Sequence, residues 1–249
     1  MGIALDLPPK QKVIELLDVN DFFLWEYYGE GILGKIQSWI FRSRIKALSN
    51  MLRYSQFKYR IILDVGCGPM FVSYALIRNS ISEYIGVDIM TSNRLRKYRN
   101  VMRNIGVETA TAIRASAESL PFRRGVFPIL LSLDVLEHLS KPRKAAREIY
   151  RVVENGGLAA ISLPLENLLQ RLFRIGFVLM KFVGNSFFKG KKSIPITRMP
   201  EYHYRGDIKS YDDMVKVLNK LFSPLHTTYT PIGFHGSINI NAVHILQKK

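Results

Sequence analysis

Two glycines and two aspartates stand at a spacing that can hold a nucleoside. Gly66-Cys67-Gly68 follows an apolar, β-branched run, Ile61-Ile62-Leu63-Asp64-Val65, and precedes a helix-like segment from Phe71 to Ile77. Glycines at such a turn accept positive φ and let a ligand approach the backbone with no Cβ in the way, and the helix start beyond offers unpaired N–H groups. Asp88 lies twenty residues after Gly68, at the end of a second strand-like run, Glu83-Tyr84-Ile85-Gly86-Val87. A carboxylate at that place accepts from both hydroxyls of a ribose at once. Asp64, just before the turn, is a candidate for the ligand site, with a helix-capping or turn-bracing carboxylate as its competing role. Two histidines are candidate proton acceptors near neutral pH: His138, after the fourth strand-like run, and His203, between Tyr202 and Tyr204. A local helix-start hydrogen bond is the competing role for His138. His226, His235 and His244 do not cluster and read as structural.

The elements that must position these groups alternate. After the first strand and helix come a strand over 83–88, a basic helix over 91–106, a strand over 108–114, a strand over 127–133, a helix over 142–153 closed by an Asn155-Gly156-Gly157 turn, and a strand over 158–163. Ser210, with Asp212 and Asp213 behind it, predicts the N-cap of a helix running to Leu221. Runs over 225–231 and 238–246 predict an antiparallel hairpin at the sheet edge. The fold class is therefore α/β: a doubly wound, mostly parallel seven-stranded sheet with an antiparallel C-terminal hairpin strand, an N-terminal helical cap and a helical insertion after strand five. One domain spans 1–249, divided into cap (1–58), cofactor-binding core (59–163), insertion or lid (164–209) and C-terminal helix with hairpin (210–249). A ligand belongs at the carboxyl ends of the parallel strands, where strand order reverses, and Asp64, Gly66, Gly68, Asp88, Ser116 and Leu133 all fall at that edge.

The dinucleotide fingerprint asks for a third glycine to open the helix; here the run continues Pro69-Met70-Phe71, which disfavours NAD and FAD. With Asp64 before it, the turn resembles motif I of the class I S-adenosylmethionine-dependent methyltransferases. Ser116-Ala-Glu-Ser-Leu-Pro-Phe122, Leu133-Asp-Val-Leu-Glu-His-Leu139 and Tyr150-Arg-Val-Val-Glu-Asn-Gly-Gly157 are similar to the later landmarks of the type 11 subgroup. The resemblance implies S-adenosyl-L-methionine as cofactor, with Asp88 on the ribose, Ile89 on an adenine face, Ser116 and Ala117 at the adenine edge, Leu133 beside the cofactor, and Gly66 to Gly68 facing the amino-acid end. It also implies that the N-terminal segment covers the cofactor, through Tyr27 or Tyr28. The chain departs from the usual pattern at Met70, at Ser116 in place of an acid, and at Pro128. Methyl transfer needs a base only where the acceptor must lose a proton, and His203 and His138 are the candidates.

Thirty-six basic residues against 20 acidic ones favour phosphate-bearing partners, whether lipid headgroups or nucleic acid. Lys35, Arg42, Arg44 and Lys46 read as a solvated helix face or a phosphate-binding one, and the Arg94, Arg96, Lys97, Arg99, Arg103 cluster reads as facing water. The single cysteine, Cys67, excludes an intrachain disulfide and a Cys-based zinc cluster, and no metal site is expected. With no signal peptide, myristoylation motif or membrane span, the expectation is a cytoplasmic protein, with peripheral contact at the inner membrane face. That contact is assigned to residues 165–192. As a helix, 165–185 places Asn167, Arg171, Arg174 and Lys181 on one side and Leu168, Leu172, Ile175 and Leu179 on the other, at about 100° per residue. A basic amphipathic helix of this kind suits a membrane interface, and equally a lid over the acceptor. Related enzymes that methylate the amines of bases use an Asn/Asp-Pro-Pro-aromatic stretch after strand four, where this chain reads Ser132-Leu-Asp-Val135. A small or lipid-like acceptor is the leading expectation. An RNA-binding methyltransferase and a non-catalytic scaffold on the same fold are the alternatives.

Overall fold

The computed structural model describes residues 7–17, 27–54, 61–77, 81–165, 206–231 and 239–249. In chain order the elements are α1 (Lys10–Leu16), α2 (Gly31–Tyr54), β1 (Ile61–Val65), α3 (Phe71–Ile77), β2 (Glu83–Asp88), α4 (Ser92–Asn104) and β3 (Ala110–Arg114). There follow β4 (Phe127–Leu133), a 3₁₀ turn (Leu136–His138), α5 (Pro142–Val152), β5 (Val153–Pro164), α6 (Tyr211–Leu221), β6 (Phe222–Thr230) and β7 (Asn241–Lys248). The seven strands form one sheet in the order β3-β2-β1-β4-β5-β7-β6. Pairing is parallel from β3 through β5 and antiparallel where β7 joins β5 and β6. This is the doubly wound sheet with its antiparallel closing hairpin that the sequence predicts.

Central parallel strands are buried on both faces, which is why β1 is an unbroken apolar run apart from Asp64. Its alternate side chains go to opposite sides: Ile62 joins the core under α2, α3 and α4, while Leu63 and Val65 join the one under α5 and α6. Each fully buried residue of this size is worth about 1.5–3 kcal/mol relative to exposure. Having wound outward from β1 to β3, the chain crosses back to place β4 on the other side of β1. The carboxyl ends of β1 and β4 therefore flank the switch point, the natural ligand crevice of such a sheet.

Two regular elements differ from their sequence reading. The expected turn at Asn155-Gly156-Gly157 is absorbed into β5, which begins as soon as α5 ends. Register passes from Phe127↔Val153 to Ile129↔Leu158 across the extra residues, with Gly156 at φ 76°. A glycine-permitted bulge lets the ladder start early, since Gly125 and Val126 N–H already bond Arg151 and Val152 carbonyls. The hairpin strands occupy 222–230 and 241–248, and β6, not the last strand, forms the sheet edge. The predicted cap at Ser210 is present: its side chain accepts from Asp213 N–H at 3.2 Å. The amphipathic insertion beyond Leu165, the Phe187–Lys192 stretch and His203 lie outside the described residues.

Candidate active site at the sheet switch point

The glycine turn is tied down by the neighbouring strand. Gly66 N–H and Cys67 N–H both donate to Val87 O, at 2.7 and 3.1 Å. Gly66 sits at φ 80° and Gly68 at φ 51°. A Cβ on Gly66 would stand 2.2 Å from Val135 Cγ2, so the side chain following β4 packs directly on this backbone. Asp88, half-buried at the tip of β2, receives Gly68 N–H on Oδ2 at 3.1 Å and Met90 N–H on Oδ1 at 3.0 Å. Each oxygen accepts one backbone donor and keeps further acceptor capacity. Beside it Ile89 exposes 69% of its surface, an apolar face with nothing over it among the described residues.

Asp64 is buried beneath the turn, where Tyr84 OH donates to it. Burial pushes its carboxyl up to about 7; the Tyr84 bond opposes that shift and the Asp88 charge adds to it. Cys67 is buried, and loss of solvation, reinforced by Asp64 and Asp88, drives its thiol far above the ordinary range, which removes it as a nucleophile. Met70 is fully buried with its backbone at φ 63°, packed in the core with Phe71 and Tyr74. Tyr27 and Tyr28 set their ring edges on Phe71, with centroids 5.2 and 5.8 Å away, and so fasten the N-terminal segment to the helix behind the glycine turn.

The segment from Ser116 to Phe122 reaches this edge on a short bridged turn in which exposed Ser116 Oγ accepts from Glu118 N–H at 3.1 Å and Ala117 is buried. Side chains from α5 and the turn before it hold it. Glu148 accepts Leu120 N–H at 2.8 Å, Arg151 donates to Leu120 O and Phe122 O, and Glu118 accepts Ser140 Oγ and Lys141 N–H. Leu133, half-buried, ends β4 across the switch point. His138 is partly exposed, its Nε2 3.9 Å from Glu137 Oε1.

A second polar group was not assigned from the sequence. Asp134, directly after Leu133 and at φ 54°, forms an ion pair with Arg44 from α2 and accepts from Ser162 Oγ of β5. Asn241, at the start of β7, completes it: Oδ1 accepts from Arg44 Nη1 at 3.2 Å and Nδ2 donates to Ile240 O at 2.8 Å. Arg44, expected on a solvated basic face, is instead 4% exposed, with its guanidinium 3.8 Å from the Phe41 ring centre. Glu137 lies buried next to this group, and neither carboxyl oxygen has a hydrogen-bond partner among the described residues. Burial raises its pKa to about 8, against a lowering pull from Arg44. The signal available in the sequence was Asp134 and Glu137 inside the Leu133–Leu139 motif, but nothing local pointed to Arg44, ninety residues upstream.

Residues 63–161 match the family model described as a methyltransferase domain. Over that stretch the chain is similar to methyltransferase domains. An "uncharacterized methyltransferase" of Mycobacterium sp. (strain KMS) is 36% identical over 103 residues, which is 41% of this chain and 38% of the relative; one from Mycobacterium avium (strain 104) is 34% identical over the same length. The chain thus matches well under half the length of these curated relatives. Among solved structures, a SAM-dependent methyltransferase from Methanosarcina mazei shares the fold at TM-score 0.56 and 21% identity, covering 80% of this chain and 96% of that one. Magnesium protoporphyrin IX methyltransferase from Synechocystis PCC 6803, solved with bound SAH, shares it at TM-score 0.59 and 16% identity, covering 97% and 100%. The methyltransferase match spans the glycine turn, Asp88, the Ser116–Phe122 turn and the Leu133–Leu139 motif, the residues gathered here at one edge. One of these fold neighbours is described as SAM-dependent and the other was solved with bound SAH, which makes S-adenosylmethionine the group to test against this site. The chain's residues fit it: Asp88 keeps acceptor capacity and Ile89 presents an apolar face. Among the described residues no helix is long and apolar enough to cross a membrane, and no cluster of metal-ligating side chains is found.

Proposed function

We propose that the protein transfers the methyl group of S-adenosylmethionine to a small or lipid-like, hydrophobic acceptor. The observation that carries the reading is Asp88: at the switch point, bonded to the glycine turn by one oxygen and to Met90 by the other, with acceptor capacity left for a ribose diol. In this reading Asp88 holds the ribose, Ile89 covers one adenine face, Ser116 and Ala117 border its edge, Leu133 lies beside the cofactor, and Gly66 to Gly68 face the amino-acid end, with Asp64 bracing the turn. When bound, the cofactor supplies an activated methyl group on a good leaving group, so the protein's main task is to hold the acceptor at attack distance. His138 is the described candidate to take a proton where the acceptor has one to lose, and His203 the candidate from the stretch before α6.

The membrane-presented character of the acceptor draws support from α2 as well as from the 165–192 pattern. Trp39 exposes 52% of its surface, and exposed Lys35, Arg42 and Lys46 lie four residues before, three after and seven after it, along one face of the helix. An exposed tryptophan among basic side chains suits the headgroup layer of an anionic membrane.

Titration calorimetry tests the core of the proposal. The protein is expected to bind S-adenosylmethionine, and Asp88→Ala to weaken binding at least tenfold while remaining folded. A folded wild-type protein that binds none of it overturns the assignment and favours a scaffold role. Flotation with anionic and neutral vesicles tests the acceptor class. Selective recovery with anionic vesicles, reduced by Trp39→Ser, is expected; indifference to vesicles together with steeply salt-dependent RNA binding favours the RNA reading instead.

A further inference from the structure

The outer side of the sheet carries a second polar recess that the proposed methyl-transfer site does not use. Between the first turns of α4 and the strand β3, a pocket of about 240 Å³ is lined by Ser92, Leu95, Arg96, Arg99, Ala112 and Arg114. Three of its six lining residues are arginines, two of which, Arg96 and Arg99, the sequence places in open water. Arg96 is exposed as expected, but Arg99 is half-buried, and its Nε–H is shielded from solvent with no acceptor among the described residues. Arg114 donates from Nε to Ile89 O at 3.4 Å. None of the three guanidinium groups meets a carboxylate in the ion pairs of the described residues. Asp88, register partner of Arg114 across β2 and β3, spends its oxygens on Gly68 and Met90 N–H. The first turn of α4 adds no acid of its own.

Concentrating three cations around one recess without an internal anion is costly, because like charges repel and a shielded N–H goes unsatisfied. A tetrahedral oxyanion removes both costs, and the planar fork of a guanidinium matches it with paired donors. The Ser92 hydroxyl adds a neutral donor. A recess of this volume takes a single phosphate with a short attached group, whereas a nucleic-acid strand calls for a continuing groove.

We infer that this pocket binds the phosphate group of a small molecule, through Arg96, Arg99, Arg114 and Ser92. The inference is independent of the methyl-transfer reading, since no lining residue belongs to the proposed cofactor site.

The test is calorimetric titration of the full chain with inorganic phosphate and with glycerol 3-phosphate, at constant ionic strength. Saturable binding is expected, weakened at least tenfold by Arg99→Ala or Arg114→Ala and unchanged by Arg147→Ala, an exposed arginine on α5 outside the pocket. Tighter binding of glycerol 3-phosphate assigns the site to a phosphomonoester, and equal binding assigns it to free phosphate. Absence of saturable binding overturns the inference, as does an equal loss in Arg147→Ala, which marks diffuse charge attraction. A single-stranded RNA oligonucleotide that binds in an Arg99-dependent manner while neither small phosphate does overturns it in favour of a polynucleotide surface. Circular dichroism and melting of each variant separate lost binding from lost fold, and Arg99→Lys, which keeps the charge without the fork, is expected to bind at an intermediate level.

Discussion

Asp88 and Asp134 follow the same design up to a point and then part. Each closes a parallel strand beside the switch point, and each has a buried carboxyl with a raised pKa close by: Asp64 behind Asp88, Glu137 behind Asp134. Among the described residues Asp88 is met only by neutral backbone donors, and it retains room for a ligand. Asp134 is met by a buried guanidinium and a serine hydroxyl, drawn from α2 and β5, while Asn241 of β7 holds the guanidinium. The difference teaches how to tell a recognition carboxylate from a clamping one when both stand at an active edge: the former is left partly unsatisfied, the latter is closed by charge. Through Arg44, Asp134 is tied to α2 and to the start of β7.

The comparison predicts unequal consequences. Arg44→Ala leaves Asp134 half-enclosed without its countercharge, and the loss of a buried pair costs about 3–5 kcal/mol; chemical denaturation is expected to show that loss. Asp88→Ala is expected to leave stability within about 1 kcal/mol, because its backbone donors turn to water. It is expected to weaken S-adenosylmethionine binding by roughly 10- to 150-fold, the worth of one charge-assisted bond at about 1.5–3 kcal/mol. A mutant pair with these effects exchanged breaks the distinction.

The paired buried carboxyls sharpen it through pH. Both have folded pKa values above their unfolded ones, so the native state holds the extra protons. The stability they contribute is complete below pH 4 and declines as pH rises, through about 7 for Asp64 and about 8 for Glu137. Urea unfolding between pH 5 and 8.5 is expected to show falling stability. Asp64→Asn flattens the lower part of that fall and Glu137→Gln the upper part, each by about 1–3 kcal/mol in order of magnitude. The smallest effect is expected of Ser162→Ala, which removes one of the donors to Asp134 and costs about 1–2 kcal/mol by melting.

What the sequence made legible followed from local signals. The β-branched run at 61–65, the glycine turn and the aspartate twenty residues on are short-range facts, and the sheet places them together as their spacing demands. The Ser210 cap is equally local. The Arg44 partnership was not legible, because a basic helix reads as solvated unless an acid is seen to face it, and Asp134 comes to it through tertiary packing alone. The turn expected at 155–157 gives way to strand for a different reason: glycines permit a bulge as readily as a reversal, and the pairing of Phe127 with Val153 decides between them. His203 and the 165–192 helix lie outside the described residues, so their roles rest on pattern.

The place of β7 bears on how the molecule is made. Because it is inserted between β5 and β6, a nascent chain emerging from the ribosome delivers a sheet whose twelve-residue β5 keeps a bare flank until Asn241 to Lys248 arrives. Such a flank invites intermolecular pairing, so deleting Asn241 to Lys248 is expected to bring aggregation before it brings loss of any ligand contact.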